Sequence, residues 1–168
     1  TTMNIIPVFL KELALEVENS EKMLAIVPND KFDWRPHPKS MNIQQLTTHI
    51  AEIPGWVGFA LTTTELDFDN NHFEPNPVHS SSEALKAIKE AYEKSKAELS
   101  KSDEARLEEM WTMRKGEQIY STNTKAEVFR MALSQLIHHR AQLGVYLRLL
   151  NVPIPGVYGP SADDLEMH

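Results

Sequence analysis

Apolar residues recur along this chain in alternating steps of three and four, the spacing that lines up one face of an α-helix, over four long segments. The first runs from about Pro7 to Val27, with Ile6, Leu10, Leu13, Val17, Leu24 and Val27 on one face and Pro7 suited to an opening turn. Pro28 ends it. The prolines Pro36 and Pro38 push the residues before them towards extended backbone, so Asp30 to Lys39 reads as an irregular crossing. A second helix opens at Ser40 or Asn42, the latter with Gln45 three residues on as a capping pair, and turns Ile43, Leu46, His49, Ile50, Ile53 and Trp56 inward. A kink is expected just past His49, at Pro54 and Gly55.

Thr62 to His79 is polar, carries Pro75 and Pro77, and reads as a long connection. Ser80 with Glu83 caps a third helix reaching about Leu99, with Leu85, Ile88, Tyr92 and Leu99 as its buried stripe. From Lys101 to Asn123 two readings stay open: Leu107 to Met113 extends a helix or forms strand-like structure before Gly116. Thr124 with Glu127 opens a fourth helix that continues to Leu150, ahead of Pro153. The remainder, Asn151 to His168, is rich in Pro and Gly and is expected to be an irregular cap. The expectation is a single all-α domain over residues 1–168, a four-helix bundle with a long link between its second and third helices.

One stripe of the fourth helix breaks the apolar pattern. Val128, Met131, Gln135, His139, Gln142, Tyr146 and Leu149 share a face, so an imidazole and two amides stand where core is expected. A buried polar side chain needs a partner, and a metal ion is one candidate. In a bundle such sites are built from facing helices, and residues four apart, such as Gln135 and His139, project together. His49 on the second helix could complete a three-point nitrogen and oxygen set, open to water or substrate.

Composition narrows the chemistry. The chain has no cysteine, which removes disulfides, thiolate metal sites and a cysteine nucleophile. A net charge of -7, with Lys and Arg dispersed, argues against nucleic acid as a partner. No stretch approaches the ~20 apolar residues of a membrane span, and Thr1 to Leu10 shows no basic leader followed by an apolar run, so a cytoplasmic protein is expected. With 168 residues, 41% of them hydrophobic, a continuous core is within reach. No G-x-S-x-G elbow or Gly-rich phosphate loop occurs.

The run HHRAQLGVYLRLLNVPIPGVYGPSADD from His138, together with LTTHIAE around His49 and DWRPHP before it, resembles the DinB superfamily over nearly the whole chain. The resemblance implies a four-helix bundle, often dimeric, that binds a divalent metal such as zinc or nickel through one histidine of the second helix and an H-x-x-x-H pair of the fourth. By position these ligands fall on His49, Gln135 and His139, so an amide replaces one imidazole. Neutral amide oxygen is the weaker donor to zinc, and metal affinity should fall accordingly. Some relatives transfer a low-molecular-weight thiol, others resemble metal-dependent hydrolases and most have no assigned reaction, so the resemblance implies a small-molecule substrate or thiol cofactor. The alternative is a non-catalytic, stress-related dimeric bundle whose metal site has degenerated at Gln135.

Other candidates carry plainer readings. Glu52, three residues after His49, is either a base or ligand-orienting group or a surface glutamate, the latter being the commoner case. His138, the alternative ligand, lies about 100° round the helix from His139, so the two do not face one ion together and its default role is surface or dimer contact. Arg140 is expected to pair with Asp163 or Asp164, and Gln142 to bond across the core. His37, His72 and His79 are expected to be exposed, and His168 to sit at a poorly ordered end. Trp34, Trp56 and Trp111 are core or interface anchors that could line a pocket.

Overall fold

In the computed structural model, residues 4–70 and 75–166 are described, so His72 and His168 lie outside the described residues. In chain order the elements are α1 (Ile6–Leu24), α2 (Ile43–Thr62), β1 (Glu65–Asp67), α3 (Ser81–Ser100), α4 (Glu104–Glu108), β2 (Met110–Lys115), β3 (Gln118–Thr124), α5 (Lys125–Leu149) and α6 (Ala162–Glu166). The chain is mostly helical. Its long helices α1, α3, α2 and α5 pack in that cyclic order, each against the next.

The starts of these helices are fixed by local chemistry. Asn42 and Gln45 form a reciprocal capping box on α2, as do Thr124 and Glu127 on α5. At α3 the Ser80 hydroxyl accepts from the Glu83 amide, while the Glu83 carboxylate reaches back to the His79 amide. α1 stops at Leu24, three residues short of the expected end at Val27.

The all-α expectation needs correction, because a three-stranded sheet in the order β1-β2-β3 lies beside the helices. β2 and β3 form an antiparallel hairpin in which Trp111 faces Asn123 and Thr112 faces Thr122. Its turn uses Gly116 at φ 56°, a left-handed conformation that only glycine adopts cheaply. β1, inside the stretch read as connection, pairs in parallel with β2 through Leu66 and Met113. Of the two readings open for Lys101 to Asn123, each holds in part: one short helical turn, then strand.

The core is a continuous apolar cluster containing Phe9, Leu13, Leu46, Ile50, Ile88, Leu133, Leu136 and Leu143. Phe9 stacks on Phe129 with centroids 3.9 Å apart. α2 and α3 are in close contact just past Pro54. Ser95 Oγ donates to the Pro54 carbonyl at 2.6 Å and accepts from the Gly58 amide at 2.9 Å. A hydroxyl from α3 is thus inserted between two groups that a helical ladder would pair, one turn beyond the bond to Ile50 that Pro54 itself cannot make. The approach requires glycine, since a Cβ on Gly58 would lie 3.0 Å from Ser95 Oγ and 3.2 Å from its Cα.

Candidate metal centre

Val128 and Tyr146 of the expected inward stripe of α5 are buried, but the polar trio between them does not face the core. Its buried arc runs through Phe129, Ala132, Leu133, Leu136, Arg140, Leu143 and Leu147, while Gln135, His139 and Gln142 are half-buried along one flank and Leu149 is exposed. The offset is about 90° on a 3.6-residue period, because α5 packs against both α1 and α2 and its apolar arc is centred between them. His49 and Trp56 likewise occupy a half-buried flank of α2 and not its core face. The two flanks meet.

The ends of the two helices are tied together near this seam. Arg106 donates from Nε and Nη2 to the carbonyl of Leu61, close to the end of α2, at 2.9 and 2.7 Å. Lys125, the first residue of α5, is buried and pairs with Glu109 at 2.8 Å. Along the seam the His49 and His139 rings lie 4.5 Å apart between centroids, edge to face at 77°. His49 Nδ1 donates to Glu52 Oε1 at 2.7 Å. Glu52 is therefore not a free surface glutamate: its side chain is 17% exposed and it fixes the ring so that Nε2 carries the lone pair.

His139 contacts two amide oxygens, Gln142 Oε1 from Nδ1 at 2.8 Å and Gln135 Oε1 from Nε2 at 3.1 Å. The expected bond of Gln142 across the core is replaced by this one along its own helix. Burial lowers the His139 pKa below the usual imidazole value; the Gln142 bond opposes that shift, and the neighbouring His49 and His138 reinforce it. A neutral ring has a single N–H. With that proton on Nδ1 facing Gln142, two lone pairs confront each other between Nε2 and Gln135 Oε1. Donors that share one cation at about 2.1 Å stand roughly 3.0–3.4 Å apart, so the 3.1 Å separation suits a common ion. The residues present fit a divalent metal held by two nitrogens and one oxygen. Among the described residues no group of three His, Cys, Asp or Glu side chains is arranged to hold an ion, so an ion at this seam would need the Gln135 amide oxygen as its third donor.

His138 is exposed, as expected, with its ring 4.8 Å from that of His139. His37 and His79 are exposed too, His79 bonding Gln44. Arg140 is the buried residue of this run, and its expected tail partners need correction. It pairs with Glu16 of α1 at 2.6 Å and donates to Tyr158 of the tail at 2.6 Å, whereas Asp163 pairs with Arg148. Asp164 binds backbone amides at Gly156 and Ser161. Glu16 was legible as an acid on the same helical arc as Leu13 and Ser20, the same signal that drew attention to His139.

Two openings flank the imidazole pair. A cavity of about 490 Å³ beside His49 is walled by Gln44, Gln45, Thr48 and Glu52. Past Trp56, a smaller cleft reaches Trp111 of the sheet, so two of the three tryptophans line a pocket. Trp34 instead packs edge-on against Tyr146 at 5.6 Å.

A sequence model described as the DinB family matches residues 2–167. Among solved structures the chain is similar to a DinB-like protein of Bacillus subtilis, with a TM-score of 0.70 and 17% identity over 89% of this chain and 96% of that one. A DinB-like protein of Bacillus cereus gives 0.69 and 16% over 89% and 95%, and a DinB family member of Exiguobacterium sibiricum 0.67 and 16% over 93% and 98%. At these identities the likeness is one of fold. No curated protein matches the chain.

Proposed function

We propose that this chain, which belongs to the DinB family, is a metal-dependent enzyme of the hydrolase or thiol-transferase type acting on a small molecule. The observation that carries this reading is the 4.5 Å approach of His49 and His139, with the Gln135 amide oxygen facing the second ring. His49 Nε2, His139 Nε2 and Gln135 Oε1 would hold a divalent ion, zinc or nickel, between α2 and α5. When bound, such an ion supplies Lewis acidity that lowers the pKa of a water or thiol and yields a nucleophile at neutral pH. Glu52 holds the His49 tautomer and ring plane, so it is a positioning residue. The cavity beside His49, whose walls combine Gln44, Gln45 and Thr48 with Met41, Pro75 and Pro77, gives a small molecule access from that side. No helix among the described residues is long and apolar enough to cross a membrane.

A second reading is favoured by one alternative geometry. Turning the Gln135 amide by 180° places its N–H on His139 Nε2, and the trio then satisfies itself without an ion. That arrangement suits a non-catalytic, dimeric binding protein. Metal titration of tag-free protein separates the two. Stoichiometric zinc or nickel, weakened about tenfold or more by His49→Ala and by His139→Ala, is expected for the enzyme, with tighter zinc binding in Gln135→His. Alanine variants that bind as well as the parent would remove these residues from the site. Sub-stoichiometric metal in the parent would leave the second reading standing.

A further inference from the structure

The cleft beyond Trp56 has a volume of about 200 Å³ and walls that are almost wholly carbon. Trp56 and Phe59 come from α2, Leu66 from β1, Trp111 from β2 and Met131 from α5, with Phe68 at the rim. Its one tryptophan of the sheet has already placed its N–H: Trp111 Nε1 donates to Thr63 Oγ1 at 3.0 Å. A guest in this cleft therefore meets ring faces, methyls and thioethers, and finds no hydrogen bond to replace those it leaves in water. Sugars, phosphates and charged heads are excluded on that ground. An apolar cavity of ~150 Å³ is enough to hold benzene, so about 200 Å³ takes one six-membered ring with a short substituent, or a branched chain of equal bulk. The methionine wall adapts to ring edges through sulfur contacts.

Position gives the cleft its meaning. The Trp56 ring that forms one wall lies 5.5 Å from the His49 imidazole, and Met131 stands one helical turn before Gln135. Neither imidazole lines the cleft itself; Trp56 is the residue common to both, forming a wall of the cleft and meeting His49 edge to face, so a guest ring in the cleft lies one side chain away from the imidazole pair. We propose that the cleft is the apolar subsite of the substrate, and that the substrate is a small molecule with one aromatic ring or branched aliphatic group joined through a short link to the reacting polar group. This specificity rests on the reading of His49 and His139 as the reacting centre, while occupancy of the cleft does not depend on the metal.

The test uses benzyl alcohol on metal-free protein, with methionine methyl resonances as the readout. Saturable shifts of Met113 and Met131 are expected, with Met23, buried against α5, unmoved and glycerol without effect. Leu66→Phe and Met113→Phe, checked for native circular dichroism, fill the cleft and should weaken binding about tenfold or more. In zinc-loaded protein benzohydroxamate should bind about tenfold or more tighter than acetohydroxamate, because its ring enters the cleft. Absence of saturable shifts, equal binding by both filled variants, or equal affinity for the two hydroxamates overturns the proposal. Protein that takes benzyl alcohol and no zinc keeps the cleft and loses the metal reading; the converse result sinks the cleft alone.

Discussion

Glu16→Ala should be among the most damaging single replacements in this chain. Glu16 and Arg140 are 5% and 3% exposed, and the carboxylate accepts from Arg140 Nη1 at 2.6 Å. Tyr158 closes the cluster: its hydroxyl accepts from Arg140 Nη2 and donates to Glu16 Oε1 and Oε2 at 2.8 and 2.7 Å. Burial and the Glu16 bond raise the Tyr158 pKa, so the phenol stays protonated as a donor. Without the carboxylate, the guanidinium keeps only neutral acceptors, the Glu16 carbonyl at 3.2 Å, Ser20 Oγ at 3.4 Å and the phenol. Removing one partner of a buried ion pair costs about 3–5 kcal/mol. For a chain of this length each kcal/mol moves Tm by roughly 2–4 °C, so a fall of roughly 10 °C is expected. Joint replacement, Glu16→Leu with Arg140→Met, removes the stranded charge and should recover most of the loss. Urea and thermal melts followed by circular dichroism measure both. A Glu16→Ala stability within ~1 kcal/mol of the parent, or a double variant no better than the single, would refute the reasoning. Because Arg140 follows His139 directly, Glu16→Ala should also weaken metal binding without touching a donor.

Glu52→Gln should lower metal affinity by about 10–100-fold while leaving Tm nearly unchanged, since it alters the partner of His49 Nδ1 at a half-buried position; unaltered affinity would deny Glu52 its positioning role. Asp163 is held at a pKa of about 2, first by the Arg148 bond and then by the Ile154 amide. A depressed carboxylate stabilises the fold above its unfolded pKa of ~3.9 and ceases to do so as pH falls through the folded value. Asp163→Asn should therefore lower Tm at pH 5–7, with the gap to the parent closing from about pH 4 to pH 2; a gap independent of pH contradicts this. Gly58→Ala should destabilise by about 1–2 kcal/mol, because a Cβ 3.2 Å from backbone cannot be relieved by a rotamer change. Gly55→Ala meets only the Ala91 Cβ at 3.6 Å and should stabilise by about 0.5–1 kcal/mol; equal signs for the two glycines would show that helix spacing does not decide the outcome.

What could be read from the sequence follows the range of the interaction responsible. The capping pairs at Asn42, Ser80 and Thr124 act over three residues and appear in the structure at those positions. The strands were harder because β1 is three residues long and pairs with residues about 47 positions away, at Thr112 to Arg114. Periodicity located the polar trio of α5 but misjudged its facing, since two packing partners, not one, set the apolar arc. That His49 meets His139 could not follow from either helix alone; the rule that bundle sites draw on facing helices, together with likeness to a family, brought them together. Ser95 was invisible among the Lys and Glu of α3, where a small polar residue has no periodic signature.

The Ser95 bridge has a consequence for the order of assembly. α2 lacks an amide hydrogen at Pro54 and meets a foreign hydroxyl between Pro54 and Gly58, so its second half is stabilised by docking more than by its own backbone. The half of α2 beyond Pro54, which carries Trp56, should then reach its native register together with α3. Amide exchange at Gly58 should then report separation of that helix pair, with the Trp56 wall of the cleft and the partner helix gained or lost as one cooperative unit.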